Sequence, residues 1–192
     1  MNVAINGFGR IGRSVFRILN SQKKINVVAI NDIADNEAMA YLLKYDTVMG
    51  PFKDSVEIDG DILKTSFNNI KMLAEREPSQ LPWGEMGVDV VIESTGIFRT
   101  KKQLDGHIKA GAKRVILTVP AKDEIDYTLV IGVNDNGLTD DHKIISNASC
   151  TTNCLAPMAK ILNDSFGIEH GVINTIHAYT NDQRLADVPH SD

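Results

Sequence analysis

Apolar positions along the chain alternate between two periods, and the alternation predicts strands and helices in turn. Val3 to Asn6 is a short apolar run, and Ile11, Val15, Ile18 and Leu19 then recur at helical spacing. Asn26 to Asn31 predicts a second strand and Met39, Leu42 and Leu43 a second helix. A βαβα opening implies a parallel sheet with helices packed on it. Ser55 to Met72 alternates apolar and polar residues around Asp59, Gly60 and Asp61, which predicts an antiparallel hairpin.

Parallel-type strands are expected again at Val88 to Glu93 and Arg114 to Val119, with a helix from Lys101 to Ala110 between them, ended by Gly111. Shorter strands are expected at Thr128 to Val133 and Lys143 to Ser146. A long helix is predicted from Cys150 to Phe166, with Cys154, Leu155, Met158, Ile161, Leu162 and Phe166 as its apolar stripe and Gly167 as its stop. Gly171 to His177 reads as a strand and Tyr179 to Asp192 as a polar loop.

Composition narrows the function classes. The 192 residues carry 20 basic and 25 acidic side chains, a formal charge of −5. Nucleic-acid and anionic-membrane binders want clustered excess Lys and Arg, so neither partner is expected. No apolar run approaches the roughly 18 residues of a membrane span, and the first residues lack a secretory signal's long apolar core. A soluble, cytoplasmic protein is expected. The two cysteines, Cys150 and Cys154, and five scattered histidines offer no ligand spacing, so no metal is expected.

Gly7, Gly9 and Gly12 form a GxGxxG triplet between the first predicted strand and helix. Such a triplet permits a tight turn, backbone approach to a pyrophosphate and close helix–strand packing. The helix start would then hold phosphates. Glycine-rich turns also serve purely structural ends. Asp32 supplies the context: it ends the second strand, 20 residues after Gly12, where a carboxylate accepts from ribose hydroxyls and repels a 2′-phosphate. NAD is favoured over NADP.

Ser149 stands as a helix N-cap before Cys150, which places that cysteine in the first turn, where the helix dipole favours a thiolate. Packing is the alternative role for Cys150, and the expected one for Cys154 on the stripe. His177, 27 residues later, ends the next predicted strand, within reach of a thiol by a short return. Such a pair activates a nucleophile and moves a proton. A satisfied structural histidine is the other reading. Asp182, Arg184, Asp187 and His190 read most simply as solvated surface.

These motifs converge on one family. AINGFGRIGR at Ala4 to Arg13, AIND at Ala29 to Asp32, LLKYD at Leu42 to Asp46, ESTG at Glu93 to Gly96, SNASCTTNCLAP at Ser146 to Pro157 and HAYT at His177 to Thr180 closely resemble phosphorylating glyceraldehyde-3-phosphate dehydrogenase. NDQRLADVPH at Asn181 to His190 gives a bacterial or plastid-like flavour. The resemblance implies an α/β fold: a Rossmann-type, doubly wound NAD domain over 1–148, then an incomplete α+β catalytic domain over 149–192. The chain is expected to be truncated after residue 192, and catalytically incompetent by itself.

By the same resemblance, Cys150 is the nucleophile and His177 its acid and base partner. Arg10 and Ile11 resemble pyrophosphate-loop contacts, Asp32 the ribose ligand, Arg76 an adenine-side contact, and Thr95, Gly96 and Thr118 the cofactor lining. Ser149, Thr151 and Thr180 resemble substrate or phosphate contacts. Ile33 and Pro189 stand where NADP-using relatives carry small hydroxyl residues. Val119 replaces a more usual alanine, a conservative departure. The implied partners are glyceraldehyde 3-phosphate, inorganic phosphate and further copies of the chain in a homotetramer. Erythrose-4-phosphate dehydrogenase is the nearest rival; an inactive NAD-binding fragment is a reading of another class.

Overall fold

The computed structural model describes residues 1–180. Nine strands form one sheet in the order β3-β4-β5-β2-β1-β6-β7-β9-β8. The parallel heart comprises β1 (Asn2–Asn6), β2 (Asn26–Asn31), β6 (Val90–Glu93) and β7 (Arg114–Leu117), with β1 between β2 and β6. Their side chains are apolar on both faces because helices cover both. Val3, Ile5, Val90 and Ile92 pack into one buried cluster with Phe16 of α1 (Arg10–Leu19) and Leu43 of α2 (Asn36–Lys44). Ala4 and Val91 point the other way, toward Trp83 and Ala112, and Leu104 of α3 (Lys101–Lys109) packs with Val115 and Leu117 on β7. The period-two alternation of a strand thus becomes a continuous apolar run.

The expected hairpin is present as β3 (Glu57–Asp59) and β4 (Ile62–Lys64), turned at Gly60, where φ is +61°. A third strand, β5 (Asn69–Leu73), pairs antiparallel with β4 and parallel with β2, which joins the hairpin to the parallel sheet. α3 starts at Thr100 with a reciprocal capping box to Gln103.

Four expectations need correction. Leu42 is exposed on α2, whose buried face is Met39, Ala40 and Leu43. The strand expected over Thr128 to Val133 shrinks to β8 (Tyr127–Thr128), beside β9 (Ile144–Ser146), because Asn134 folds the chain back. Its side chain accepts from the Val130 N–H at 2.7 Å and donates to the Thr128 carbonyl at 2.9 Å.

The long helix, α4 (Cys150–Phe166), has the expected bounds, but its stripe is not a core. Met158, Ile161, Leu162 and Phe166 are exposed, and so is Cys154, expected inside. No element among the described residues covers that stripe. Gly171 to His177 carries the alternation of a strand yet is not one in the structure. Asp182, Arg184, Asp187, Pro189 and His190 lie outside the described residues, as does most of the loop expected from Tyr179 to Asp192.

Candidate active site

The strand order reverses at β1, with β2 on one side and β6 on the other, and a crevice opens beyond the carboxyl ends of these strands. A cavity of about 390 Å³ lies there, lined by Gly7, Gly9, Asp32, Arg76 and Thr95 of the expected residues. Each glycine of the triplet has a different local reason. Gly7 holds φ at +90°, and a Cβ there would meet the Thr95 backbone N at 2.6 Å. Gly12 lies so close under the turn that a Cβ would stand 2.1 Å from the Gly7 carbonyl oxygen. At Gly9 a Cβ would meet nothing within 4 Å: the space is open, and open onto the cleft. Gly9 also N-caps α1 without a side chain, so the first-turn N–H groups have no side-chain acceptor from the cap.

Asp32 fixes the turn from below. Its Oδ2 accepts from the Phe8 N–H at 2.7 Å and its Oδ1 from the Ala34 N–H at 3.0 Å. Each carboxylate oxygen accepts one of these bonds and retains capacity for another donor, such as a ribose hydroxyl. These features fit a dinucleotide: a cap-free helix start for phosphates, an open glycine face and a strand-end carboxylate.

Other expected residues sit beside the cleft. Arg10 turns to Asp46, with 3.2 Å between guanidinium and carboxylate, and Ile11 is exposed on the first turn of α1. The Met49 backbone N–H, helped by that of Val48 and by Arg10 and opposed by burial, holds the Asp46 carboxyl below its ordinary value. Gly96 adopts φ +72° next to Thr95, and the Thr118 hydroxyl donates to the Glu93 carbonyl at 3.1 Å. Asn6, Asn31, Glu75 and Phe98 also line the cavity and were not singled out in the sequence. A signal existed: AIN ends both β1 and β2, so two asparagines stand side by side at the sheet edge.

The second group of residues gathers at the start of α4. Ser149 is its N-cap, with its hydroxyl oxygen accepting from the Thr152 N–H at 2.9 Å. Ala148, immediately before, is buried with φ +56°, a backbone state that costs a residue with a Cβ about 1–2 kcal/mol. The Ser146 hydroxyl supports it by accepting the Ala148 N–H at 3.0 Å.

Cys150 Sγ lies 3.2 Å from His177 Nε2. The other ring nitrogen, Nδ1, faces the Ala178 carbonyl, which can only accept, so Nδ1 carries the proton and Nε2 presents its lone pair to the thiol. His177 draws the Cys150 thiol below its ordinary value; partial burial opposes this, and the Thr151 N–H and hydroxyl assist it. Cys150 is exposed to solvent, as a thiol that meets a substrate must be. Thr180 closes the described chain, three residues past His177.

The described residues thus carry a crevice of dinucleotide type on a doubly wound sheet and a thiol–imidazole pair at the helix start that follows it. Comparison with known proteins makes this specific. Residues 1–101 match the family model described as glyceraldehyde 3-phosphate dehydrogenase, NAD binding domain, and residues 149–192 match that of the C-terminal domain. The chain belongs to the glyceraldehyde-3-phosphate dehydrogenase family.

It is 55% identical to glyceraldehyde-3-phosphate dehydrogenase of Borreliella burgdorferi, over all of this chain and 58% of that protein. The corresponding enzyme of Streptomyces coelicolor is 54% identical over all of the chain and 57% of its own length. That of Thermotoga maritima is 54% identical over 99% of the chain and 57% of its own length. The chain thus spans under two thirds of these relatives. Among the described residues no helix is long and apolar enough to cross a membrane.

Proposed function

We propose that a polypeptide carrying these residues oxidises and phosphorylates glyceraldehyde 3-phosphate to 1,3-bisphosphoglycerate, using NAD, through a thioester on Cys150. The observation that carries the reading is the 3.2 Å approach of His177 Nε2 to the Cys150 sulfur, at the start of a helix that follows an NAD-type sheet. Its relatives' names support the substrate.

His177 takes the thiol proton, the Cys150 thiolate attacks the aldehyde carbon, and His177 returns that proton to the oxygen to give a hemithioacetal. His177 then removes the proton of the new hydroxyl as the carbon is oxidised to the thioester. NAD, when bound, accepts the hydride released in that oxidation. Inorganic phosphate attacks the thioester carbonyl, and the Cys150 thiolate leaves. The positive end of α4, at whose first turn Cys150 stands, would favour the oxygen that becomes negative in each tetrahedral species.

In this reading Gly7, Gly9, Arg10, Ile11 and Gly12 serve the pyrophosphate, Asp32 the adenosine ribose, Arg76 the adenine side, and Thr95, Gly96 and Thr118 the rest of the cofactor. Ser149, Thr151 and Thr180 serve the substrate or phosphate. The NAD domain runs to residue 148 and the catalytic domain starts at 149. A homotetramer in the cytoplasm completes the proposal, without nucleic-acid or membrane partners.

Phosphate-dependent NADH formation tests it. In a polypeptide that carries these residues and spans the length of its relatives, turnover with glyceraldehyde 3-phosphate, at a higher kcat/KM than with erythrose 4-phosphate, and none in Cys150→Ser, is the expected result. The reverse aldehyde preference would make the rival correct, and NAD binding without turnover of either would favour a binding module. NADP bound more tightly than NAD would overturn the role of Asp32.

A further inference from the structure

A buried polar chain runs behind the cleft, and the mechanism above makes no use of it. At its centre is Glu93, the last residue of β6 and fully buried. Its Oε1 accepts the Thr95 N–H at 2.8 Å and the Thr95 hydroxyl at 2.5 Å. Its Oε2 accepts Asn6 Nδ2 at 2.5 Å and faces His107 Nε2, on α3, at 3.0 Å. The Trp83 indole N–H, a donor only, lies 3.0 Å from His107 Nδ1. His107 therefore accepts at Nδ1 and gives its Nε2 proton to Glu93.

On the other side Asn31 Nδ2 donates to Asn6 Oδ1 at 2.7 Å, and the same amide grips the Glu75 backbone at its carbonyl and its N–H, each at 2.8 Å. Two donor relays, Trp83 through His107 and Asn31 through Asn6, thus end on one carboxylate. That is an expensive way to fill a core. A buried carboxylate gives up its hydration, and well-packed apolar residues often serve stability as well.

Its connections supply the reason. Thr95, which follows β6 on one side of β1, and Asn6, Asn31, Glu75 and Arg76, at or beyond the ends of β1, β2 and β5, all line the cleft. Residues on both sides of β1 are thus tied to the same two oxygens. We propose that Glu93 is a positioning residue for NAD, holding the cleft walls at the spacing the cofactor needs, with His107 and Trp83 fixing its carboxylate from the side away from the cleft. The inference rests on the reading of that cleft as the NAD site.

Titration of NAD into the 192-residue chain tests it. Glu93→Gln, which sets an amide N–H among four donors, is expected to weaken NAD at least tenfold. Leu63→Ala, a truncation in the β4 core that lines no part of the cleft, should change the affinity less than twofold at a comparable loss of Tm. Should Glu93→Gln fail to fold, the pair His107→Leu and His107→Gln carries the same test. Leu removes the donor to Glu93 and should lose affinity at least fivefold; Gln, which can accept from Trp83 and donate to Glu93, should restore it to within about threefold. Unchanged affinity in Glu93→Gln, equal losses in Glu93→Gln and Leu63→Ala, or equal losses in both His107 variants would overturn the inference while leaving the NAD site intact. No NAD binding by the unmodified chain would overturn both.

Discussion

The sheet region through β9 and the segment that begins at α4 achieve order in opposite ways. In the first, apolar side chains from strands and helices fill three buried clusters, and even the polar groups under the cleft are enclosed. In the second, α4 is a regular 17-residue helix with a side-chain cap, yet none of its residues is buried. Local signals alone therefore specify a helix and its start. What they do not specify is a core. The chemistry divides along the same line: the cleft is built from turn backbone and the half-buried Asp32, with the buried Glu93 behind it, whereas the thiol pair is two exposed side chains brought together by a helix start and a returning segment.

The sharpest break in that comparison is expected at His177. His177→Asn removes the base that faces Cys150, and general-base assistance is worth about 10²–10⁴-fold in rate. In a polypeptide that carries these residues and spans the length of its relatives, turnover of glyceraldehyde 3-phosphate should fall by that amount, while NAD affinity, a property of the sheet region, stays within twofold. A parallel loss of NAD affinity would mean that the two regions are not separable.

Next in size is the contrast in stability. Phe16 is fully buried and Phe166 is 84% exposed. Phe16→Ala should cost about 3–5 kcal/mol in urea unfolding of the chain, by lost transfer energy and the cavity left behind. Phe166→Ala should stay within about 0.5 kcal/mol, as for other surface changes. A cost above 1 kcal/mol at Phe166 would show that its helix face is covered in solution.

Much of the sheet region was legible in the sequence because both helix and strand periods there end in real packing. The turn glycines and Asp32 stood at the positions that a strand–turn–helix unit requires, and the hairpin at Gly60 was readable from its Asp-Gly-Asp turn. Three things were not legible. The buried role of Glu93 depends on Asn6 and His107, which lie 87 and 14 residues away and meet it only across the sheet. The early end of β8 depends on an asparagine side chain closing a turn. The stripe of α4 is a pattern that would bury against a partner, yet Met158, Ile161, Leu162 and Phe166 stand exposed among the described residues, and the alternation of Gly171 to His177 does not become a strand. Pattern alone records which face is apolar and leaves open what meets it. The proximity of Cys150 and His177 was conceivable from sequence, and only the returning chain sets it at hydrogen-bond distance.

The smallest effects separate the turn glycines. Gly7→Ala meets the Thr95 backbone and a positive φ, so Tm should drop clearly. Gly9→Ala meets open space, so Tm should hold to within a few degrees while NAD affinity falls, because the new methyl stands in the cleft. Calorimetry and NAD titration on the two variants check this. Unaltered NAD affinity in Gly9→Ala would place the pyrophosphate elsewhere.

The central claim, that Cys150 is a thiolate nucleophile activated by His177, is tested most directly by the pH dependence of alkylation by iodoacetamide, with the modified residue identified by peptide mass. Since His177 and the start of α4 pull the Cys150 thiol below its ordinary value, its thiolate persists to lower pH. The expected result is labelling of Cys150 before Cys154, with a midpoint below the usual range of about 8–9 for a cysteine thiol, and a midpoint that rises in His177→Asn. Equal labelling of the two cysteines, with a Cys150 midpoint in the ordinary range and indifferent to His177→Asn, would contradict it.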